Sequence, residues 1–234
     1  MIPGGFAALH HWLFPPLCLL CGAAGTRGRD LCTGCSADLP RNHNPCAACA
    51  LPLAPGQSGF CPHCRLHPPP FEYTFAPLVY RPPLDHLIGR LKFGGRLSYA
   101  RLLGDFFALS FAESSLALPD CIIPVPLHPQ RLRERGFNQA IELARPIARQ
   151  YRIPLVIDQL QRTRHTTAQT DLPASQRRTN LIGAFMASAQ LAGARVALMD
   201  DVITTTSTTR ECARTLQAAG VTAIQTWAIA RTAE

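Results

Sequence analysis

Apolar residues recur at helical spacing in two adjacent stretches near the middle of the chain, Leu84, Leu87, Ile88 and Leu91, then Tyr99, Leu102, Leu103, Phe106 and Phe107. This periodicity predicts an amphipathic helix ended by Gly94-Gly95 and a second helix over 97–111 whose aromatic stripe is core. Ala140, Ile141, Ala144, Ile147 and Ala148 repeat the pattern behind Asn138, a natural N-cap, with Pro146 expected to bend the helix. Short apolar runs at 74–80, 121–125, 195–199 and 221–229 read as strands. Between the last two lie a loop, a helix over about 207–219 and Gly220, placed to terminate it. A strand-loop-helix-strand run predicts a parallel sheet covered by helices, an α/β fold with its ligand site at the carboxyl ends of the strands.

Before residue 65 the pattern fails. Aliphatic residues are sparse there, and four C-x-x-C pairs follow one another: Cys18/Cys21, Cys32/Cys35, Cys46/Cys49 and Cys61/Cys64, with ten, ten and eleven residues between successive pairs. Two cysteines three apart on a tight turn place both thiolates on one tetrahedral Zn2+, and a second such turn closes the site. Eight ligands then make two structural zinc sites, and metal binding supplies the folding free energy that so few aliphatics cannot. A disulfide scaffold needs an oxidising compartment, for which no targeting signal speaks, and a redox C-x-x-C opens a helix after a strand, which does not fit four copies set among Pro, Gly and Ala. Sequential pairing gives tandem zinc ribbons and alternate pairing a cross-brace; the reading favours the sequential scheme. His43, His63 and His67 are taken as bystanders, and Cys121 and Cys212 as core thiols. The segment 65–71, RLHPPPF, reads as a linker, dividing the chain into a zinc head, 1–66, and an α/β body, 67–234.

No apolar run reaches the roughly 20 residues a membrane helix needs, and the first 20 residues lack the basic start and cleavage site of a secretory signal. A cytoplasmic location is the expectation. The formal charge of +8 is unevenly spread. Residues 128–180 hold ten arginines against Glu134, Glu142, Asp158 and Asp171, so that window carries +6 of it. Lys92 is the only lysine among 23 basic residues.

The segment 196–209, VALMDDVITTTSTT, places two acids at a strand end and then six hydroxyl residues entering a helix. Backbone N–H groups at a helix N-terminus, helped by Thr and Ser hydroxyls, bind a phosphate monoester without a lysine. Two adjacent carboxylates can accept hydrogen bonds from the vicinal hydroxyls of the sugar carrying that phosphate. Together these describe a ribose-5-phosphate site.

The same segment resembles the fingerprint of type I phosphoribosyltransferases, and the chain as a whole resembles the ComF (GntX-like) competence-protein family. The resemblance rests on the paired-cysteine head, LKFGGR at 91–96, IIPVPLHPQRLRERGFNQA at 122–140, RTRHTTAQTDLPASQRRTNLIGAF at 162–185 and the acidic-Thr loop. It implies a parallel-sheet type I phosphoribosyltransferase fold behind a double zinc ribbon. It further implies that Asp200 and Asp201 hold the ribose hydroxyls of phosphoribosyl pyrophosphate (PRPP), and that Thr204, Thr205, Thr206, Ser207 and Thr208 hold its 5-phosphate. Arg131 and Arg135 would lie near the pyrophosphate, Mg2+ would accompany PRPP, and 162–169 would form a mobile flap. One departure is Thr206, where the family's loop usually has Gly; if that position has positive φ, a β-branched residue is strained there. The resemblance implies a part in DNA uptake or use of DNA as nutrient, with single-stranded DNA and the competence uptake ATPase as candidate partners. The alternative is an active PRPP-dependent phosphoribosyltransferase of nucleotide salvage.

Overall fold

A computed structural model describes residues 15–26, 29–164 and 181–233. The body holds a five-stranded sheet built from β1 (Tyr73–Phe75), β2 (Leu78–Val79), β3 (Cys121–Pro124), β6 (Arg195–Ile203) and β7 (Ala223–Arg231). Every pairing in it is parallel: β7 is flanked by β6 on one side and by β1 and β2 on the other, and β3 lies beyond β6. The remaining strands, β4 (Leu160–Arg162) and β5 (Phe185–Ala187), form an antiparallel pair apart from this sheet.

Side chains alternate along a strand, so a sheet covered on both faces needs apolar residues at consecutive positions. The strands meet that demand. Ile122, Ala197, Met199, Trp227 and Ile229 join one apolar cluster with α3 (Leu84–Gly94), α4 (Leu97–Ala112) and α6 (Gln139–Tyr151). Cys121, Ile123, Val196, Leu198 and Ile224 face the other way, toward Cys212, Ala213 and Leu216 of α7 (Ser207–Ala218) and toward Leu160 and Phe185 of the small pair. Cys121 and Cys212 are buried, as core thiols should be. The expected aromatic stripe of α4 is core: Tyr99, Phe106 and Phe107 are all buried.

Two expectations need correction. The strand expected over 74–80 is two short strands with Ala76-Pro77 between them, both in one register on β7. Pro77 has no N–H to give, and Asn42 of the head takes over the break, donating to the Ala76 carbonyl at 3.2 Å while its own N–H reaches the Pro77 carbonyl at 2.9 Å. Second, β6 does not stop at Met199 but continues through both acids to Ile203. Polar residues end an apolar run, yet the β7 ladder beside them goes on pairing. The helix α6 is continuous from Gln139 to Tyr151 with Pro146 inside it. The proline ring lies over Gly104 of α4, where a Cβ would come within 2.3 Å of Pro146 Cγ and 2.6 Å of the Leu143 carbonyl oxygen.

The head is short turns with two single-turn helices, α1 (Thr33–Ala37) and α2 (Pro62–Leu66). It rests directly on the body. Cys18, Leu31 and Leu39 belong to the same apolar cluster as α3 and α4, Arg101 pairs with Asp30 at 2.7 Å, and the Arg41 guanidinium lies 4.4 Å over the Phe106 ring.

Candidate functional site

In the head, the cysteines fall into two quartets, Cys18/Cys21/Cys32/Cys35 and Cys46/Cys49/Cys61/Cys64, the four sulfurs of each within 4.8 Å of one another. This is the sequential pairing. A tetrahedral zinc with sulfurs at its usual bond length has S···S edges of about 3.8 Å. Cys21 and Cys32 stand 3.6 Å apart, and Cys49 and Cys61 stand 3.8 Å apart. Backbone N–H groups donate to Cys32, Cys46 and Cys61 at 3.1 to 3.4 Å, the support a thiolate needs. For Cys18 and Cys46 burial works against ionisation, yet such backbone donors outweigh it and bring the thiols down to about 6 and about 7. Burial, with the charge of Cys46 and Cys61, pushes Cys49 up to about 11. Four thiolates this close repel one another unless a cation joins them, so each quartet fits a dication. His43, His63 and His67 belong to neither quartet.

At the carboxyl end of the sheet, the last part of strand β6 carries Asp200 and Asp201, and Thr204–Thr206 lead into α7. Asp200, Val202, Ile203 and the hydroxyl residues 204–209 surround one cavity of about 80 Å3. The phosphate-loop residues expected from the sequence are thus brought together with one of the two acids. Thr206 does adopt positive φ, 60°, and is buried. Its hydroxyl accepts from Arg210 Nε at 3.1 Å, and its carbonyl accepts from the Arg210 N–H at 2.8 Å and from Thr209 Oγ1 at 3.0 Å. These bonds hold a β-branched residue in a conformation that costs it roughly 1–2 kcal/mol.

The two acids are in different electrostatic states. Asp200 Oδ1 accepts the Asp201 N–H at 2.8 Å. Burial and then the neighbouring charge of Asp201 push the Asp200 carboxyl well above the ordinary carboxylate range. Burial would raise Asp201 too, but the charge and hydrogen bond of Lys92, with further bonds from Asp200 and Gln139, outweigh it and hold Asp201 below that range. Lys92 Nζ forms an ion pair with Asp201 Oδ2.

Arg131 and Arg135 lie on α5 (Pro129–Arg135), aimed into an open cleft of about 530 Å3 that they share with Lys92, Phe93, Gly95, Glu134 and Phe137. The RGFNQ segment builds this wall. Gly136 ends α5 at φ 80°, and Asn138 ties the turn down, its Oδ1 accepting from Ala140 N and its Nδ2 donating to the Val125 carbonyl past the end of β3. Arg135 donates to Gln139 Oε1 at 2.6 Å. Burial lowers the Arg135 guanidinium, Asp201 opposes that and Arg131 adds to it; it stays a cation. Of the expected flap, 162–164 are seen at the end of β4, and 165–169 lie outside the described residues.

Two residues of the site were not singled out by sequence reasoning. Lys92 had a signal, as the only lysine in an arginine-rich chain. Arg231, at the end of β7, had none. It is buried and donates Nε to the Cys49 carbonyl of the second ribbon and Nη1 to the carbonyls of Ile203 and Thr204, both leading into the hydroxyl loop.

Fold and site together define a class: an α/β protein with an acid pair and a hydroxyl-rich loop at the carboxyl edge of a parallel sheet, headed by a pair of four-cysteine metal sites. Comparison with known proteins narrows this. The double zinc ribbon domain matches residues 9–65. DNA utilization protein YhgH of Escherichia coli K12 is 34% identical over 229 residues, covering 96% of this chain and 93% of that protein. Competence protein F of Haemophilus influenzae is 35% identical over 208 residues, covering 86% and 90%. The chain belongs to this ComF family. Among solved structures, an allosteric regulatory enzyme of purine biosynthesis aligns with 56% of this chain at 22% identity and a TM-score of 0.36. A glutamine PRPP amidotransferase from B. subtilis aligns at 21% and 0.35. The chain spans about a quarter of the length of either enzyme. Among the described residues, no helix is long and apolar enough to cross a membrane.

Proposed function

We propose that this protein serves DNA uptake or the use of DNA as nutrient, as the names of its relatives indicate for them, through a phosphoribosyltransferase-type body, 67–234, that binds PRPP or another phosphorylated ribose. The head, 1–66, is the metal-folded part. One observation carries the reading: Asp200 and the hydroxyls of 204–209 line one cavity at the carboxyl end of a parallel sheet, with a cationic cleft lined by Lys92, Arg131 and Arg135. In this reading the 5-phosphate takes the N–H groups and hydroxyls of Thr204 to Thr208, and the ribose hydroxyls take Asp200 and Asp201. The pyrophosphate lies in the cleft of Arg131 and Arg135, which neutralise it with the help of the Mg2+ that accompanies it.

The chemistry such a site supports is cleavage of the C1–O bond, pyrophosphate leaving with the electron pair, through an oxocarbenium-like transition state. An incoming nucleophile then bonds to C1 and gives up its proton. Preorganised cations facing the leaving group would supply most of the acceleration. Single-stranded DNA and the uptake ATPase are the partners this role would bring, in the cytoplasm.

Calorimetry with Mg2+ and PRPP is the test. Wild-type protein is expected to bind, and Asp200→Ala with Asp201→Ala to reduce affinity by about a hundred-fold, two carboxyl contacts being lost. Binding unchanged by the double substitution would sink the reading. Pyrophosphate release in the presence of a nucleobase, with wild-type turnover lost in the double variant, would favour the salvage enzyme over a binding role.

A further inference from the structure

Lys92 stands where the two halves of the site meet. It sits in the last turn of α3, ahead of Gly95 in the left-handed conformation. Its ammonium pairs with Asp201 Oδ2, yet its stem lines the same cleft as Arg131 and Arg135. Asp201 is nearly sealed from solvent while the Lys92 side chain is 24% exposed, so the lysine forms the open side of the pair. Asp201 Oδ2 has no hydrogen bond beyond that ion pair among the described residues. A sugar hydroxyl arriving at that oxygen must therefore come to the position the ammonium now holds.

Every other basic residue except histidine is arginine. A guanidinium would grip a carboxylate through two parallel bonds and be slow to give it up, whereas an ammonium is a compact, rotatable charge on a flexible stem. Lysine suits a contact that must be made and then released. The nearest place for the released charge is the cleft its stem already lines, beside the two arginines.

We propose that Lys92 is a displaceable counter-ion: it neutralises Asp201 in the empty protein, and when ribose hydroxyls take Asp201 it turns into the Arg131/Arg135 cleft to become the third cation on the pyrophosphate. This rests on the ribose and pyrophosphate placement proposed above. Its effect is to couple the two ends of the ligand, since sugar binding frees the charge that the pyrophosphate needs. A molecule lacking the pyrophosphate would displace the lysine and gain nothing in return.

The test compares Mg2+-PRPP with ribose 5-phosphate by calorimetry on wild-type, Lys92→Met and Lys92→Arg protein, each checked by thermal melting. Lys92→Met removes the pyrophosphate cation, so PRPP affinity is expected to fall about ten-fold or more while ribose 5-phosphate loses far less. Lys92→Arg keeps the charge but holds Asp201 more firmly, so ribose 5-phosphate is expected to weaken by about five-fold or more. Equal losses for both ligands in Lys92→Met would make the lysine a mere prop for the acid pair. Wild-type affinities in Lys92→Arg would show that the contact need not be released. Either result overturns the proposal while leaving PRPP binding intact. Wild-type protein that binds neither ligand overturns the proposal and the underlying reading together.

Discussion

Thr206 is the residue at which chain and loop disagree most. An L-residue with φ near 60° is strained at its Cβ, and a branched one most of all, yet this threonine is buried and held by Arg210. The usual order of Ala above Gly in stability should therefore invert. Thr206→Ala keeps the crowded Cβ and loses the hydroxyl bond, whereas Thr206→Gly loses the bond but frees the backbone. Denaturant melts are expected to place the glycine variant about 1 kcal/mol above the alanine variant. The ordinary order, with alanine above, would mean the loop relaxes out of the left-handed conformation. The sequence made this position visible because a threonine stood where glycine is usual. It made Asp200 and Asp201 visible as a pair, but not that one is raised and the other lowered. That split comes from Lys92, more than a hundred residues earlier in the chain, and no local pattern carries it. Arg231 was hidden for the same reason: its partners are carbonyls of distant segments, and carbonyls have no sequence signature.

Among the elements, the four long helices α3, α4, α6 and α7 were legible nearly to their ends, because amphipathic spacing and caps such as Asn138 and Gly95 are local, whereas the short α1, α2 and α5 were not expected. The strands were less so. The apolar stretch 195–199 marks only the buried part of β6, and its polar continuation is strand because β7 pairs with it. The α4–α6 contact was likewise invisible, since it depends on a glycine meeting a proline across two helices. It predicts opposite outcomes for two glycines of similar helical setting. A Cβ added at Gly89 in α3 would have nothing within 4 Å, so Gly89→Ala is expected to gain about 0.5–1 kcal/mol. Gly104→Ala would drive a methyl into Pro146 and the Leu143 carbonyl, and is expected to lose about 3 kcal/mol. Urea melts of both variants check this; similar stabilities would mean the helices separate at little cost.

At the scale of the whole molecule, the totals of charge and cysteine resolve into places. Eight cysteines form two metal sites, and metal analysis is expected to give close to two zinc ions per chain, one zinc indicating an idle quartet. Much of the +6 of residues 128–180 falls on α5, α6 and the segment after β4, so Arg131 and Arg135 reach the cleft while 165–180 lie outside the described residues. What composition could not convey is how the head meets the body. Arg231 ties a backbone carbonyl of the second ribbon to the backbone that begins the hydroxyl loop. Linkage between two sites is reciprocal in free energy, so a loop that feels the ribbon must be felt by it. Metal retention then becomes a gauge of loop occupancy. With ribose 5-phosphate present, a chromophoric chelator is expected to extract one of the two zinc ions more slowly and the other at an unchanged rate. Identical release curves with and without the sugar phosphate would mean that Arg231 joins the two parts without coupling them.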